Sequence, residues 1–354
     1  MRLTVLGAGA IGPAAAVLAV SRGHDVTLWS PSGAGTAALT DGIEAEGALT
    51  GRFPLRIPRD LPDALRNAEA ALLTVPAYAF PDLLPRIAAA LPPRLPLLIA
   101  PAASLSPLAL DAMLAARGAP AARAPIGAMA TTPVTARRPA PERVRVAAIR
   151  AAVDLSAVPA VAAPEMGALA TELFGHASPV APNALHAGLS NANPIIHAVM
   201  ALTNLTRIER GEPWPQYEMM TEAACRLMND LARERDRIAG AFGITVLPLE
   251  ESLHRANGVA VGPMHEMAAA IAVSRGAVHG PATMETRYVT EDVPYGLSFT
   301  LWLARAKGLS LPVTDAVVTA LESLWGRDLR ANPLLDALDP AGLDAALARG
   351  VGRG

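Results

Sequence analysis

Two reactive side chains are almost missing from this chain of 354 residues, which has one cysteine, Cys225, and one lysine, Lys307. A lone cysteine excludes a disulfide framework and leaves no thiolate set for a metal or cluster. Cys225 itself reads as a small buried apolar residue on a helix. With one lysine, any mechanism that needs an essential lysine must use Lys307. That residue precedes Gly308, where a basic side chain suits a helix C-terminus. Charge is also sparse, at 18% of residues and a net of −2. No basic field exists to attract nucleic acid. No run of about 20 uninterrupted apolar residues reads as a membrane span. Residues 3–20 carry no charge and so raise the question of a signal peptide. Gly7, Gly9, Gly12 and Pro13 interrupt them and a second strand follows, so a cytoplasmic protein is expected. The seven histidines show no metal-ligand spacing. His265-Glu266 opens like a zinc-protease motif, but Ala269 stands where the second histidine would, and no metal site is expected.

What is present is apolar and small. Hydrophobic residues make up 52% of the chain, enough for large cores, and their alanine-rich character points to many packed helices. The length suits two domains. Arg2–Leu6 reads as a buried strand, followed at once by Gly7-Ala8-Gly9-Ala10-Ile11-Gly12, a helix and a second strand over 25–30. This is the context in which GxGxxG carries meaning. Gly7 permits the tight turn, Gly9 lets a pyrophosphate approach the backbone, and Gly12 allows close helix–strand packing. Ala10 and Ile11 open the helix, whose first N–H groups face the anion. Dinucleotide binding is therefore expected. The residue ending the second strand selects between cofactors, because an acid there binds the ribose 2′-hydroxyl of NAD and repels the 2′-phosphate of NADP. Here it is Ser30, with no arginine near it in sequence before Arg52. NADP is favoured, with NAD still admissible. Further strands are expected over 70–75 and 95–100, with later strands or connections over 143–148 and 158–163. Val75 and Pro76 would line the nicotinamide side at the carboxyl edge of the sheet.

From about residue 179 the strand signals fade. Helices are expected over 219–242, 299–306 and 313–325 from their apolar spacing. The fold class expected is α/β, an N-terminal Rossmann-type doubly wound parallel sheet (1–180) with a C-terminal all-helical domain (181–354). Two segments of the helical half stand out. One is Asn191-Ala192-Asn193-Pro194-Ile195-Ile196-His197, with Asn193 as a candidate N-cap before Pro194, or else a longer helix kinked at Pro194. The other runs from Glu285-Thr286-Arg287-Tyr288 through Glu291-Asp292-Val293-Pro294-Tyr295-Gly296-Leu297.

Together with the glycine-rich start and the strand ending in Val75-Pro76, these segments resemble the opine dehydrogenase family over most of the chain. Members of that family join the amino group of an amino acid to a 2-oxo acid and reduce the imine with NAD(P)H. The resemblance implies that His197 is the acid/base and Asp292 its partner. It also implies that Arg287 meets the cofactor phosphates, and it makes Asn193 and Arg287 candidate contacts to substrate. The chemistry agrees, since imine formation needs a group that gives and takes protons near neutrality, and carboxylate substrates suit arginine. Plainer readings stay open: His197 as a core histidine, Asp292 as the N-cap of the helix that follows, Arg287 as a structural ion pair. Ketopantoate reductases and β-hydroxyacid dehydrogenases resemble the N-terminal half as well, but they depend on a lysine. A 2-oxo/2-hydroxy-acid reductase and a sensor that binds cofactor without turnover are further alternatives. The expected partners are a small amino acid and a 2-oxo acid, without nucleic acid or membrane, and the apolar helices could form a homodimer face.

Overall fold

The computed structural model describes residues 1–276 and 278–353. They form two compact units, Met1–Gly188 with Pro333–Gly354, and Leu189–Asn332.

The first unit is built on a six-stranded sheet. Its strands are β1 (Arg2–Leu6), β2 (Asp25–Trp29), β5 (Ala70–Leu73), β6 (Leu97–Ile99), β7 (Ile126–Met129) and β10 (Leu155–Val158). They lie in the order β10-β7-β6-β5-β1-β2. All pairings are parallel except β10 with β7. The chain leaves β1 for β2 on one side and later returns to β5 on the other. The crevice at the carboxyl ends of β1 and β5 is therefore the topological switch point, where open α/β sheets bind ligands. A second sheet of four strands comprises β3 (Gly42–Gly47), β4 (Gly51–Pro54), β8 (Val134–Ala140) and β9 (Arg143–Ile149), ordered β4-β3-β9-β8.

Helix α1 (Ile11–Ser21) touches strands of both sheets. It is buried on every side from Gly12 to Ala19, and alanine is what lets a helix pack between two sheets at close range. Pro139 sits in β8, which lies at the edge of its sheet, where a missing N–H costs no ladder bond. Of the two readings open for 158–163, strand or connection, the structure shows a connection. β10 ends at Val158, and Pro159 leads into a helical turn and the helix Ala163–Phe174. The segment Pro333–Gly354, expected with the helical half, belongs to the first unit because its end is held there: Val351 N–H donates to Asp111 Oδ2 at 2.7 Å and the Arg353 guanidinium to Asp111 Oδ1 at 2.9 Å.

The second unit is helical. Its longest helix, Glu222–Ala241, starts three residues later than expected because the Thr221 side chain caps it, accepting from Ala224 N. Buried Glu234 on that helix accepts from the N–H groups of Val313 and Thr314 at 3.0 and 2.8 Å. A charged side chain thereby closes the start of helix Pro312–Trp325. Helix Asn193–Thr203 begins at Asn193 itself, and it is Asn191 Oδ1 that accepts the Asn193 N–H at 3.1 Å. No helix among the described residues is long and apolar enough to cross a membrane.

Candidate active site

In the first unit the glycine-rich turn has the shape its sequence calls for. Gly7 has φ +127°, and a Cβ there would sit 2.3 Å from the Thr74 carbonyl oxygen and 2.9 Å from Val75 Cγ1. The turn thus lies directly against the end of β5, and Val75 and Pro76 border the switch-point crevice. A Cβ on Gly12 would lie 1.7 Å from the Gly7 oxygen, so α1 packs onto the turn as closely as backbone allows. Around Gly9 nothing stands within 4 Å of such a Cβ. That glycine is not needed by the fold, and it opens onto the space a pyrophosphate would enter. Ala10 precedes α1 with no side-chain cap, so the N–H groups of the first turn, from Ile11 on, remain for an anion. These residues fit a dinucleotide. Ser30 is buried, and its Oγ accepts from Gly35 N at 3.2 Å. The sequence has no arginine close to Ser30, but the fold brings one: Arg138 Nη1 donates to the Ala8 carbonyl oxygen.

In the second unit the two segments singled out by sequence meet. His197 lies in helix Asn193–Thr203, and Asp292 sits just before a wide π-type turn, Val293–Leu297. Close approach is possible because position 296 is glycine, where a Cβ would fall 2.3 Å from Pro194 Cβ and Cγ. Asp292 Oδ2 is 2.8 Å from His197 Nδ1, with the side chains 9% and 17% exposed. With the carboxylate accepting, Nδ1 carries the hydrogen and Nε2 is left to act as acid or base. Asp292 occupies the cap position but its side chain makes no capping bond. It is spent on the histidine instead, contrary to the capping reading.

Tyr288, to which the sequence assigned no role, stacks on His197 with ring centroids 3.7 Å apart and an interplanar angle of 4°. Its hydroxyl donates to Gln216 Oε1. Neither contact had a local signal, since both join distant segments. Arg287 is 65% exposed and its Nε lies 2.5 Å from Glu291 Oε2. Asn193 is exposed at the start of its helix. The Lys307 ammonium lies 4.2 Å from the centroid of the Phe242 ring, on which it is seated as a cation–π contact. Among the described residues no group of three or more His, Cys, Asp or Glu could hold a metal ion.

Residues 180–324 match the family model described as the α-helical domain of NAD/NADP octopine/nopaline dehydrogenase, and residues 2–101 that of the N-terminus of NAD-dependent glycerol-3-phosphate dehydrogenase. An opine dehydrogenase of Arthrobacter sp. (strain 1C) is 31% identical over 351 residues, 97% of this chain and 96% of that protein. Octopine dehydrogenase solved with NADH and L-arginine superposes with a TM-score of 0.76 at 18% identity, covering 100% of this chain and 95% of that one. Yersinopine dehydrogenase with bound NADP+ gives 0.74 at 18% identity, covering 99% and 98%. These two share the fold. The full-length identity to the Arthrobacter enzyme shows more: the chain belongs to the opine dehydrogenase family and is an NAD(P)-dependent oxidoreductase of that type.

Proposed function

We propose that this enzyme condenses an amino acid with a 2-oxo acid and reduces the resulting imine to a secondary amine, with NADPH as the preferred reductant. The observation that carries the reading is the 2.8 Å bond from His197 Nδ1 to Asp292 Oδ2, which fixes one tautomer and leaves Nε2 to work. Neutral Nε2 accepts a proton from the attacking amine. The imidazolium so formed, steadied by Asp292, returns that proton to the former carbonyl oxygen to give the carbinolamine, and the same exchange moves the second amine proton to the hydroxyl as water leaves and the C=N bond forms. Bound nicotinamide supplies the hydride that completes the reduction. The Tyr288 ring holds the imidazole plane from its stacked face. Asn193 and Arg287 are the candidates for the substrate carboxylates or cofactor phosphates, and Arg287 would exchange part of its Glu291 pairing to do so.

A lysine-dependent reduction of a 2-oxo acid is disfavoured because Lys307 closes its helix and sits on Phe242. The cofactor preference follows from Ser30, which offers no negative charge to a 2′-phosphate. NADPH depletion over a grid of amino acids and 2-oxo acids tests the reading. Turnover should require both substrates together. Equal turnover with the oxo acid alone would make the enzyme a 2-hydroxy-acid dehydrogenase instead. In matched kinetics NADPH should serve at least as well as NADH, and Ser30→Asp should move the preference towards NADH by like-charge repulsion.

A further inference from the structure

The cofactor preference proposed above lacks a positive partner in the sequence around Ser30. The fold supplies one from more than a hundred residues away. Arg138 lies in β8 where the pairing with β9 slips, between Arg137 and Ala140. Such a bulge turns a side chain out of the regular alternation. Its Nη1 donates to the carbonyl oxygens of Ala8 and, at 3.5 Å, Gly9, and its Nη2 to Pro141 O. The guanidinium therefore rests on the glycine-rich turn. Nε is buried without a hydrogen-bond partner, and among the described residues no carboxylate forms an ion pair with it. Glu142 acts on it only at longer range, and partial burial lowers its proton affinity from the ordinary arginine value. A partly desolvated cation held on backbone carbonyls, with no carboxylate in an ion pair with it among the described residues, is poised for an anion that is not part of the protein.

The side of the turn it occupies identifies the anion. A Cβ built on Gly35 would stand 2.6 Å from the Ala8 oxygen and 3.1 Å from Ser30 Oγ. Ala8 O, which Arg138 grips, thus belongs to the same cluster as Ser30 and the loop after β2. This is the adenosine end of the crevice. The nicotinamide end lies across the turn, where Gly7 meets Thr74 and Val75.

We infer that Arg138 is the specificity-determining cation for the 2′-phosphate of NADP, acting with Ser30 from a strand of the second sheet. This rests on the proposed NADP preference, so the experiment separates the two. Adenosine 2′,5′-bisphosphate and adenosine 5′-monophosphate differ only in the 2′-phosphate, and calorimetry reads their affinities without any turnover. The wild-type protein should bind the bisphosphate at least about tenfold more tightly. Arg138→Met should weaken the bisphosphate by about 10- to 100-fold, the range of a charge-assisted contact, and leave the monophosphate within about twofold. Arg138→Lys, which keeps the charge, should retain part of the preference and covers the case in which the methionine variant folds poorly. Equal loss on both ligands would make Arg138 a support of the turn and overturn the inference, as would no loss on either. If the wild-type protein binds the two ligands alike, the NADP reading itself fails and takes this one with it.

Discussion

A histidine with one nitrogen committed to a buried carboxylate has a single working nitrogen, and this makes the His197–Asp292 pair testable as a unit. His197→Ala should lower kcat by about two to four orders of magnitude with cofactor affinity nearly unchanged. Asp292→Asn should do comparable harm, because an amide NH2 facing Nδ1 would force the hydrogen onto Nε2. The double variant should be scarcely worse than the worse single one. Asparagine caps helices as well as aspartate does. A near-normal Asp292→Asn enzyme would therefore dismiss Asp292 from the chemistry. Tyr288→Phe keeps the stacked ring and loses the bond to Gln216, so it should cost a few-fold, whereas Tyr288→Ala should cost more in kcat than in KM. The other reactive side chain predicts inertness. Burial, with Glu250 nearby, pushes the Cys225 thiol up to about 11, so the thiolate that alkylating agents need is scarce at pH 8. Iodoacetamide should label the native enzyme slowly and the urea-unfolded chain fast. Rapid native labelling would contradict the burial.

Glycines at element junctions divide into those the fold needs and those the ligand needs. Gly12→Ala would drive a methyl group into the Gly7 backbone, and Gly9→Ala would meet no protein atom within 4 Å. The first should lower the melting temperature, while the second should melt like the wild type but bind NADPH more weakly in a fluorescence titration. A Gly9→Ala protein with unchanged cofactor affinity would mean the open space is not the phosphate path. Gly296→Ala should force helix Asn193–Thr203 away from the turn after Asp292, costing at least about tenfold in kcat with cofactor binding intact. These junctions also show which features local sequence could reveal. β1, α1, β2 and β5 are mostly apolar segments with Gly or Pro at or near their ends, and they were readable within a residue or three at each end. The short strands β3, β4 and β8 were not. Gly42–Gly47 and Gly51–Pro54 are short and mix polar with small residues, so their strand identity comes from packing beside α1 rather than from local pattern. In the site, His197 and Asp292 stood out through their motifs. Tyr288 and Gln216 there, and Arg138 in the first unit, are placed by contacts spanning 72 residues or more, or by a bulge, and no local pattern encodes either.

The return of the C-terminal segment to the first unit is a tertiary event, organised by one buried acid. Asp111 is fully buried in helix Ser106–Ala116. Its Oδ1 accepts from Arg123 Nε at 2.9 Å and from Arg353 Nη2 at 2.9 Å, and its Oδ2 from Val351 N at 2.7 Å. Arg123 closes the loop by donating to Val351 O at 2.5 Å. Two arginines on one carboxylate leave a surplus positive charge in a dry site, and it is offset by the carbonyls of Pro120, Arg123 and Ala124 that accept from the same guanidiniums. Such a cluster adds little beyond a well-packed apolar core while whole, but breaking it leaves stranded charge that costs about 3–5 kcal/mol. Asp111→Asn should therefore lower unfolding stability by roughly that amount, and removal of residues 351–354 should do so to a similar degree. Hydrogen exchange locates the damage: protection should fall in helix Ser106–Ala116 and in β7, and stay unchanged in helix Glu222–Ala241 of the helical unit. Cofactor affinity should weaken with it, because binding must then also restore the order of a loosened sheet. Unchanged exchange in Ser106–Ala116 after the truncation would mean that the C-terminal segment only covers the first unit without holding it.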